Sequence, residues 1–257
     1  MEPDKGMIND IENLYAAILE SDKVLVFTGA GISTLSGIPD FRGVKGVYRE
    51  KWHGMEVEEI LSLPCFLKNP EYFYEWAQTF VYGLENYQPN IVHNVIADWE
   101  KRDIIYRTYT QNIDILHQHA GSQRLYELHG SPAHHHCLNC RKYYSYNDIA
   151  PIVQSGKTPF CDCGGIIKPE IVFYGEQLNS KLLEQAFSDF ASADLAIVLG
   201  SSLTVNPAAL LPQYTVRGGG KLAIINSQPT TLDKYAQWHF SDLAETFEIL
   251  AELSKEQ

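Results

Sequence analysis

The chain has 257 residues, 45% of them hydrophobic and 20% charged, with a formal net charge of −12. This composition is typical of a globular protein able to bury a core and add a smaller second unit, and the acidic balance disfavours nucleic acid and anionic membranes as direct partners. Because no apolar run reaches bilayer length and the first residues do not resemble a signal peptide, we expect a cytoplasmic protein with reduced cysteines.

The first elements form a helix, a strand and a glycine loop. Apolar spacing predicts an amphipathic helix from Ile8 to Glu20 and a buried strand from Val24 to Phe27. The next residues, TGAG at 28–31, allow close approach of the backbone to a ligand. A helix starting near Ile32 would offer N–H groups to a pyrophosphate. The third glycine of the G-x-G-x-x-G fingerprint is replaced by Thr34, so this stretch alone is equally consistent with a tight turn.

Residues 56–87 are rich in aromatic side chains and are interrupted by Pro64 and Pro70. The pattern favours two or three short helices packed as a small module. The aromatic residues could line an apolar pocket, but such spacing is more typical of a core. Cys65 has no cysteine nearby and is interpreted as a small buried hydrophobe.

Polar residues follow the next two predicted strands. A helix from Ile91 to Lys101 precedes a strand from Ile104 to Tyr109, which ends in TQNID at 110–114, and a strand from Arg124 to Leu128 ends in His129. Ligands of open parallel sheets bind at the carboxyl ends of the strands, so TQNID, together with the glycine loop after the first strand, predicts one shared crevice. His129 is a candidate general base because imidazole titrates near neutrality, although a lone histidine is more often structural.

The cysteines give the most specific local pattern. Cys137 and Cys140 form one pair, and Cys161 and Cys163 form a second pair twenty residues later. The spacing predicts a zinc ribbon in which four thiolates close the coordination shell, which indicates a structural metal. Four reduced cysteines without metal are the alternative. The histidines at 134–136 could supply a ligand, but we expect them to be exposed strand residues.

Three further extended segments complete the chain. Residues 166–176 are interpreted either as a linker strand or as a free edge to which a polypeptide could add. The segments Leu195–Leu199 and Lys221–Ile225 are almost continuously apolar and are followed by Gly-Ser-Ser and Asn-Ser. Strands that are apolar on both faces predict an α/β fold in which helices cover both sides of a parallel sheet.

Together these motifs resemble the sirtuin family of NAD-dependent protein lysine deacylases, and most closely its bacterial-type deacetylases. The resemblance runs in order from about residue 8 to the C-terminus. It rests on GAGIST-x-SGIPDFR at 29–42, TQNID at 110–114, HG at 129–130, the cysteine pairs at 137–163, IVFYGE at 171–176, GSSL at 200–203 and IN at 225–226.

The resemblance implies a discontinuous Rossmann-like NAD-binding domain formed by residues 1–42, 88–130 and 168–257. A small domain would combine a helical module at 43–87 with a zinc-ribbon module at 131–167. NAD, as co-substrate, and an acyl-lysine protein or peptide would meet in the cleft between the two domains. One structural zinc per chain and a monomeric state are expected, with no direct nucleic-acid or membrane partner.

The resemblance also implies roles for individual residues. Catalysis would depend on His129, Asn112 and Asp114. NAD would be held by residues of the loops that follow the strands: Gly29, Ala30, Gly31, Ser33, Thr34, Asp40, Phe41, Arg42, Gln111, Asn112, Ile113, Asp114, His129, Gly200, Ser201, Ser202, Asn226 and Asp242. The peptide would contact Val172, Phe173, Gly175 and Glu176, and zinc would be bound by Cys137, Cys140, Cys161 and Cys163. Phe41 would shield the reacting sugar.

In the implied reaction nicotinamide leaves, the acyl oxygen of the lysine amide attacks the ribose carbon, and His129 deprotonates a ribose hydroxyl. The products would be nicotinamide, O-acyl-ADP-ribose and free lysine. A protein ADP-ribosyltransferase using the same NAD site is the alternative, and a non-catalytic reader of NAD or ADP-ribose is a weaker one. Family members that remove succinyl or malonyl groups resemble one another in a tyrosine followed three residues later by arginine. In this chain the residue three positions after Tyr74 is Ala77 instead of arginine. We therefore expect acetyl or longer apolar acyl groups as substrates and no desuccinylase activity.

Overall fold

The computed structural model describes residues 5–40, 46 and 51–255. Within them, nine strands and ten α-helices are defined. The strands are β1 (Val24–Thr28), β2 (Arg107–Thr110), β3 (Leu125–Glu127), β4 (Gly130–Cys137), β5 (Tyr143–Ser145), β6 (Ile167–Ile171), β7 (Leu195–Leu199), β8 (Lys221–Ile225) and β9 (Trp238–Phe240). The helices are α1 (Lys5–Glu20), α2 (Val57–Ile60), α3 (Leu63–Lys68), α4 (Pro70–Phe80), α5 (Ile91–Lys101), α6 (Leu116–Ala120), α7 (Tyr146–Gln154), α8 (Ser180–Ala191), α9 (Leu211–Arg217) and α10 (Leu243–Lys255).

Six strands form a parallel sheet in the order β3-β2-β1-β7-β8-β9. The chain leaves β1 toward β2 on one side and fills the other side from β7 onward, so the strand order reverses at β1. Thr28 pairs with both Thr110 and Leu199, which brings the carboxyl ends of the three central strands to the same level. Such a reversal opens a crevice at the carboxyl edge of a sheet.

Helices cover both faces of this sheet, as the apolar strands predict. Val24 and Val26 pack into a core with α1, α5 and α10, whereas Leu25 and Phe27 point to the other face and pack with α8 and α9. All five residues of β1 are buried, because consecutive side chains of a strand alternate between two covered faces. None of the described helices is both long and apolar enough to span a bilayer.

The remaining strands form an antiparallel sheet in the order β5-β4-β6. Its core is shared with the aromatic helical segment: Phe173, just after β6, lies 5.1 Å from Phe66 and 4.9 Å from Phe73 between ring centroids. Ile149 and Val153 of α7 belong to the same cluster. The interpretation of the aromatic residues as core is therefore confirmed for Phe66 and Phe73. Leu67, an apolar residue of the same segment, lies outside the core and is 58% exposed.

Two expectations differ from the structure for clear physical reasons. The strand predicted from Ile104 begins only at Arg107, because the N–H groups of Ile104 and Ile105 both donate to Trp99 O at the end of α5. His135 was expected to be exposed and is fully buried. Successive strand residues point to opposite faces, so three histidines in a row cannot all face solvent.

Candidate active site

Three loops meet at the carboxyl edge of the parallel sheet, one after each central strand. Gly29 N donates to Leu199 O at 2.9 Å, and Gly31 N donates to Gly200 O at 2.8 Å. On the other side Gln111 N donates to Thr28 O at 2.9 Å. The loops after β1, β2 and β7 are thus joined by backbone hydrogen bonds, as the polar strand endings predicted.

Gly29 and Gly31 must be glycine because the loop after β1 packs closely against the loop after β7. A Cβ on Gly31 would lie 2.7 Å from Gly200 Cα, and one on Gly29 would lie 2.8 Å from Gly200 O. Gly200 itself has φ +59. One side of each glycine in the β1 loop therefore packs against the β7 loop. The helix expected near Ile32 is a seven-residue 3-10 helix, Ala30–Ser36.

A cavity of about 600 Å³ opens where these loops meet the small antiparallel sheet and its aromatic core. Most of the residues assigned to the site from sequence line it: Gly29, Ala30, Gly31, Asp40, Gln111, Asn112, Ile113, His129, Val172, Phe173, Gly175, Glu176, Gly200, Ser201, Ser202 and Asn226. Ser33 and Asp114 line an adjoining cavity of about 50 Å³ that shares Ala30, Asn112 and Ile113 with it.

Among the described residues assigned from sequence, Thr34 and Asp242 line neither cavity. Thr34 is exposed and its hydroxyl donates to Gly31 O at 2.8 Å. Asp242 caps α10, where Oδ1 accepts from Glu245 N at 2.9 Å. Phe41 and Arg42 lie outside the described residues.

His129 stands at the cavity wall directly after β3. Its Nδ1 lies 3.0 Å from Gln111 O. A carbonyl oxygen can only accept, so Nδ1 carries the proton of this contact. In the neutral ring Nε2 then holds the lone pair, which is the form a general base needs. The main chain is fixed as well, because Val172 N donates to His129 O at 2.8 Å.

A buried polar network lies between the two cavities. Asn112 Nδ2 donates to Gly29 O at 3.0 Å and to Ser33 Oγ at 3.1 Å. Ser33 Oγ in turn donates to Asp114 Oδ2 at 2.5 Å, and Leu116 N donates to Asp114 Oδ1 at 3.0 Å. Burial raises the pKa of Asp114, while these two donors oppose the shift. A carboxylate fixed beside a small cavity stabilises positive charge that develops there.

Behind this network lies a second group of polar side chains, in which sequence reasoning missed His93 and His117. His117 Nε2 is 3.0 Å from Thr28 Oγ1, which donates to Thr110 Oγ1 at 2.8 Å, and Thr110 Oγ1 accepts from Asn112 N at 3.0 Å. His117 also packs edge-on against His93 at 4.9 Å. Burial lowers the pKa of His117 to about 3 and that of His93 to about 4, so both rings are neutral. The chain of contacts from His117 through Thr28 to Thr110 fixes the backbone N–H of Asn112 on the side away from the larger cavity.

The far end of the cavity is lined by polar loops after β7 and β8. Ser201 Oγ donates to Gln111 Oε1 at 2.8 Å, which links the β7 loop to the β2 loop. Asn226 Nδ2 donates to Gln228 O at 2.6 Å. Several lining residues lie outside the sequence motifs: Leu61, Trp76, Val81, Gln177, Leu178, Thr204, Val205, Asn206, Pro207, Ser227 and Gln228. For residues 204–206, the polar residues that follow GSSL could have indicated a place in the site. Trp76 offered no such indication, because it is 2% exposed and its spacing is typical of a core residue.

The segment after β6 forms another wall of the cavity. It had been interpreted as a linker or a free edge, but Tyr174 N donates to Leu61 O at 2.9 Å and Leu63 N donates to Tyr174 O at 3.0 Å. The backbone of this segment is therefore partly paired with the helical insert. The Phe173 ring is 2% exposed and belongs to the aromatic core.

The four cysteines of the ribbon come together at one end of the antiparallel sheet. Their sulfur atoms all lie within 4.8 Å of one another. The Sγ atoms are 3.5 Å apart for Cys137 and Cys163 and also for Cys140 and Cys161. Tetrahedral zinc with Zn–S bonds of about 2.3 Å places sulfurs about 3.8 Å apart, so the arrangement fits zinc.

The surroundings of the thiolates fit a metal as well. Asn139 N and Cys140 N lie 3.4 and 3.5 Å from Cys137 Sγ, in position to donate to a thiolate. A Cβ on Gly165 would lie 2.6 Å from the same sulfur, so the second turn closes on the cluster only with glycine there. With four protein ligands no position stays open for substrate, which makes this a structural metal centre.

Comparison with known proteins gives one consistent result. The model of the Sir2 family matches residues 29–207. An NAD-dependent protein deacetylase of Thermotoga maritima is 43% identical over 84% of this chain and 87% of its own length. An NAD-dependent protein deacylase 2 of Archaeoglobus fulgidus is 39% identical over 88% of both chains.

Solved structures agree with these relatives. A Sir2 structure with deacetylated p53 peptide and 3'-O-acetyl-ADP-ribose has a TM-score of 0.88 and 38% identity, covering 96% of this chain and 98% of that one. A structure of Sir2 with p53 peptide and NAD+ has a TM-score of 0.85 at the same identity and coverage. A Sir2 bound to a propionylated peptide has a TM-score of 0.84 and 37% identity, with the same coverage.

Proposed function

The chain belongs to the Sir2 family, and we propose that it is an NAD-dependent protein lysine deacylase. It converts NAD and an acyl-lysine protein or peptide into nicotinamide, O-acyl-ADP-ribose and free lysine. In this proposal residues 1–42, 88–130 and 168–257 form the NAD-binding unit, and residues 43–87 and 131–167 form the small unit. The relatives named above, which include a deacetylase and a deacylase, support this activity.

The observation that carries the proposal is the state of His129 within the cavity. Its Nδ1 proton is committed to Gln111 O, so the neutral ring can accept a proton only at Nε2. The ring lines the cavity formed by the loops after β1, β2 and β7. His129 is therefore the proton acceptor for a ribose hydroxyl, and Gln111 is the group that sets its tautomer.

NAD supplies the bond to nicotinamide whose cleavage makes a ribose carbon reactive. The chain's own residues hold and orient the reactants. Asp114 places a buried negative charge next to the small cavity, where it favours developing positive charge. Asn112, held by Gly29 O and Ser33 Oγ, is the fixed amide between the two cavities. Ser201, Ser202 and Asn226 are proposed to contact the adenosine half.

The acyl group is proposed to be acetyl or a longer apolar chain. Among the described residues that line the larger cavity none is lysine or arginine, which would be needed to bind the second carboxylate of a succinyl group. Tyr74, the position used in the sequence argument, is buried and its hydroxyl donates to Ile167 O at 2.5 Å. The lack of lysine and arginine among the described lining residues is thus stronger support for the absence of desuccinylase activity than the spacing of Tyr74 and Ala77.

The test is to incubate the protein with an acetyl-lysine peptide, with and without NAD, and to identify products by mass spectrometry. O-acetyl-ADP-ribose together with deacetylated peptide, formed only with NAD, is the expected result. A succinyl-lysine peptide of the same sequence serves as the matched control and should react far more slowly. Labelling of protein by NAD without acylated substrate, and with no acetyl-ADP-ribose, would instead favour an ADP-ribosyltransferase.

A further inference from the structure

A buried lysine lies directly beneath the cavity wall formed by residues 171–176, here called the 171–176 turn. Lys168 of β6 is 8% exposed. Its Nζ donates to Ile171 O at 2.8 Å and to Pro169 O at 3.2 Å, and lies 2.9 Å from Glu176 Oε2. An ammonium has three donors, and these three acceptors use all of them. The sequence analysis gave this residue no role.

The carboxylate of Glu176 closes the turn from the other end. Its Oε2 accepts from Phe173 N at 2.7 Å, and Glu176 N donates to Phe173 O at 2.9 Å. The Lys168 ammonium also lies 4.1 Å from the centroid of the Phe173 ring. One ion pair therefore holds both ends of the turn and stacks on its central aromatic ring. In the low dielectric of a buried site such charge-assisted contacts are strong and directional.

The same turn is joined to the backbone of His129 and to the helical segment that contains α2 and α3. Val172 N donates to His129 O at 2.8 Å, and Tyr174 pairs through its backbone with Leu61 and Leu63. Every residue from Ile171 to Glu176 lines the larger cavity. A shift of the turn would consequently move the part of the cavity wall next to His129 and also the part that is paired with Leu61 and Leu63.

We propose that Lys168 is a positioning residue that acts through Glu176, holding the 171–176 turn in the shape that binds the acyl-lysine peptide. The proposal rests on the deacylase function proposed above. It changes the role given to Glu176 from sequence, since its carboxylate is directed to Lys168 and to Phe173 N. Neither charged group needs to touch the substrate.

The first test is Lys168→Met, which keeps the aliphatic stem and removes the ammonium. We expect the KM for an acetyl-lysine peptide to rise about tenfold, the effect of losing one charged hydrogen-bond partner, while the KM for NAD stays within about twofold. Lys168→Arg keeps the charge and should recover most of the peptide affinity. Lys142→Met, which removes an exposed ion pair with Asp162 in the loops beside the small sheet, is the matched control and should leave both KM values unchanged.

A second variant tests the route through Glu176. Glu176→Gln keeps an oxygen that can accept from Phe173 N but loses the ion pair, so it should raise the peptide KM as well. The double variant with Lys168→Met should be no worse than the poorer single variant, because both break the same contact. If Lys168→Met does not fold, Glu176→Gln carries the test alone.

Calorimetric binding of the acetyl-lysine peptide separates this proposal from the proposed function. If the wild-type protein makes no acetyl-ADP-ribose, the function fails, and the peptide Kd of the variants still tests the positioning role. A folded Lys168→Met protein whose peptide KM and Kd stay within about twofold of wild type would overturn the proposal. Equal losses for peptide and NAD, with a lowered melting temperature, would also overturn it, since they indicate a merely structural role.

Discussion

Different forces hold the loops at the carboxyl edge of the parallel sheet and the cysteine module at residues 137–165. The loops are fixed by contacts between distant parts of the chain, such as Gly31 N to Gly200 O. The cysteine module is fixed by four sulfurs that lie close in sequence and in space. The comparison teaches that the carboxyl edge depends on the whole sheet, whereas the module depends on the metal ion that its four sulfurs are placed to hold.

Removing the metal should have the largest effect. Structural zinc contributes about 10–16 kcal/mol of binding free energy in small domains, so a chelator or Cys137→Ser should unfold the module. Activity should be lost with it, because the module shares its core with Phe173 of the cavity wall. Metal content and turnover measured on the same sample check this.

Cys65→Ser is the matched control, because Cys65 lies outside the cluster and a single partly buried thiol has little effect. A Cys137→Ser protein that keeps full metal content and full turnover would contradict a structural zinc site.

Disturbing the contact between Gly31 and Gly200 at the carboxyl edge of the parallel sheet should have the next largest effect. Gly31→Ala places a Cβ 2.7 Å from Gly200 Cα, so the β1 and β7 loops must separate. We expect the KM for NAD to rise at least about tenfold and the free energy of unfolding to fall by about 2 kcal/mol. Steady-state kinetics and urea unfolding measure the two quantities.

Gly83→Ala is its control, since a Cβ there meets nothing closer than 3.7 Å. An unchanged KM for NAD in Gly31→Ala would show that the separation of the two loops does not matter for the site.

Acid should destabilise both regions by a smaller amount. Burial lowers the pKa of His93 and His135 to about 4 and that of His117 to about 3. These folded-state values lie below the unfolded value of about 6.5, so stability is complete above pH 6.5 and falls as the pH drops and the unfolded chain takes up protons. Each group adds a slope of up to about 1.4 kcal/mol per pH unit between about 6.5 and 4.

Urea unfolding at pH 7.5 and 5.0 measures this slope. His117→Leu should flatten the slope for the large sheet, and His135→Leu should flatten the slope for the small antiparallel sheet that carries the cysteine module. If one substitution flattens both, the two regions unfold together. A wild-type slope near zero would contradict neutral buried imidazoles.

The sequence predicted best the features that arise from local patterns. The helix Ile91–Lys101 and the strands Leu195–Leu199 and Lys221–Ile225 have the predicted bounds. Continuous apolar runs and a 3.6-residue period are properties of the segment itself. The clustering of the four cysteines also followed from their spacing alone.

Features that depend on distant partners were missed. The late start of β2 depends on Trp99 O, which takes two N–H groups that would otherwise pair in the sheet. His117 and Lys168 have no motif of their own, and their importance appears only when Thr28 and Glu176 are placed beside them. Asn112, Asp114 and His129, which the family motifs named, line the cavities. Asp242, which the resemblance named outside those motifs, caps a helix and lines neither cavity.

The most direct test of the account is the His129→Ala variant, assayed with NAD and an acetyl-lysine peptide. His129 is half-buried and lies in the wall of the cavity, outside the three hydrophobic core clusters, so the fold should survive the change. We predict circular dichroism like that of wild type and no detectable O-acetyl-ADP-ribose. Turnover close to that of wild type would show that His129 is not the proton acceptor and would contradict the central claim.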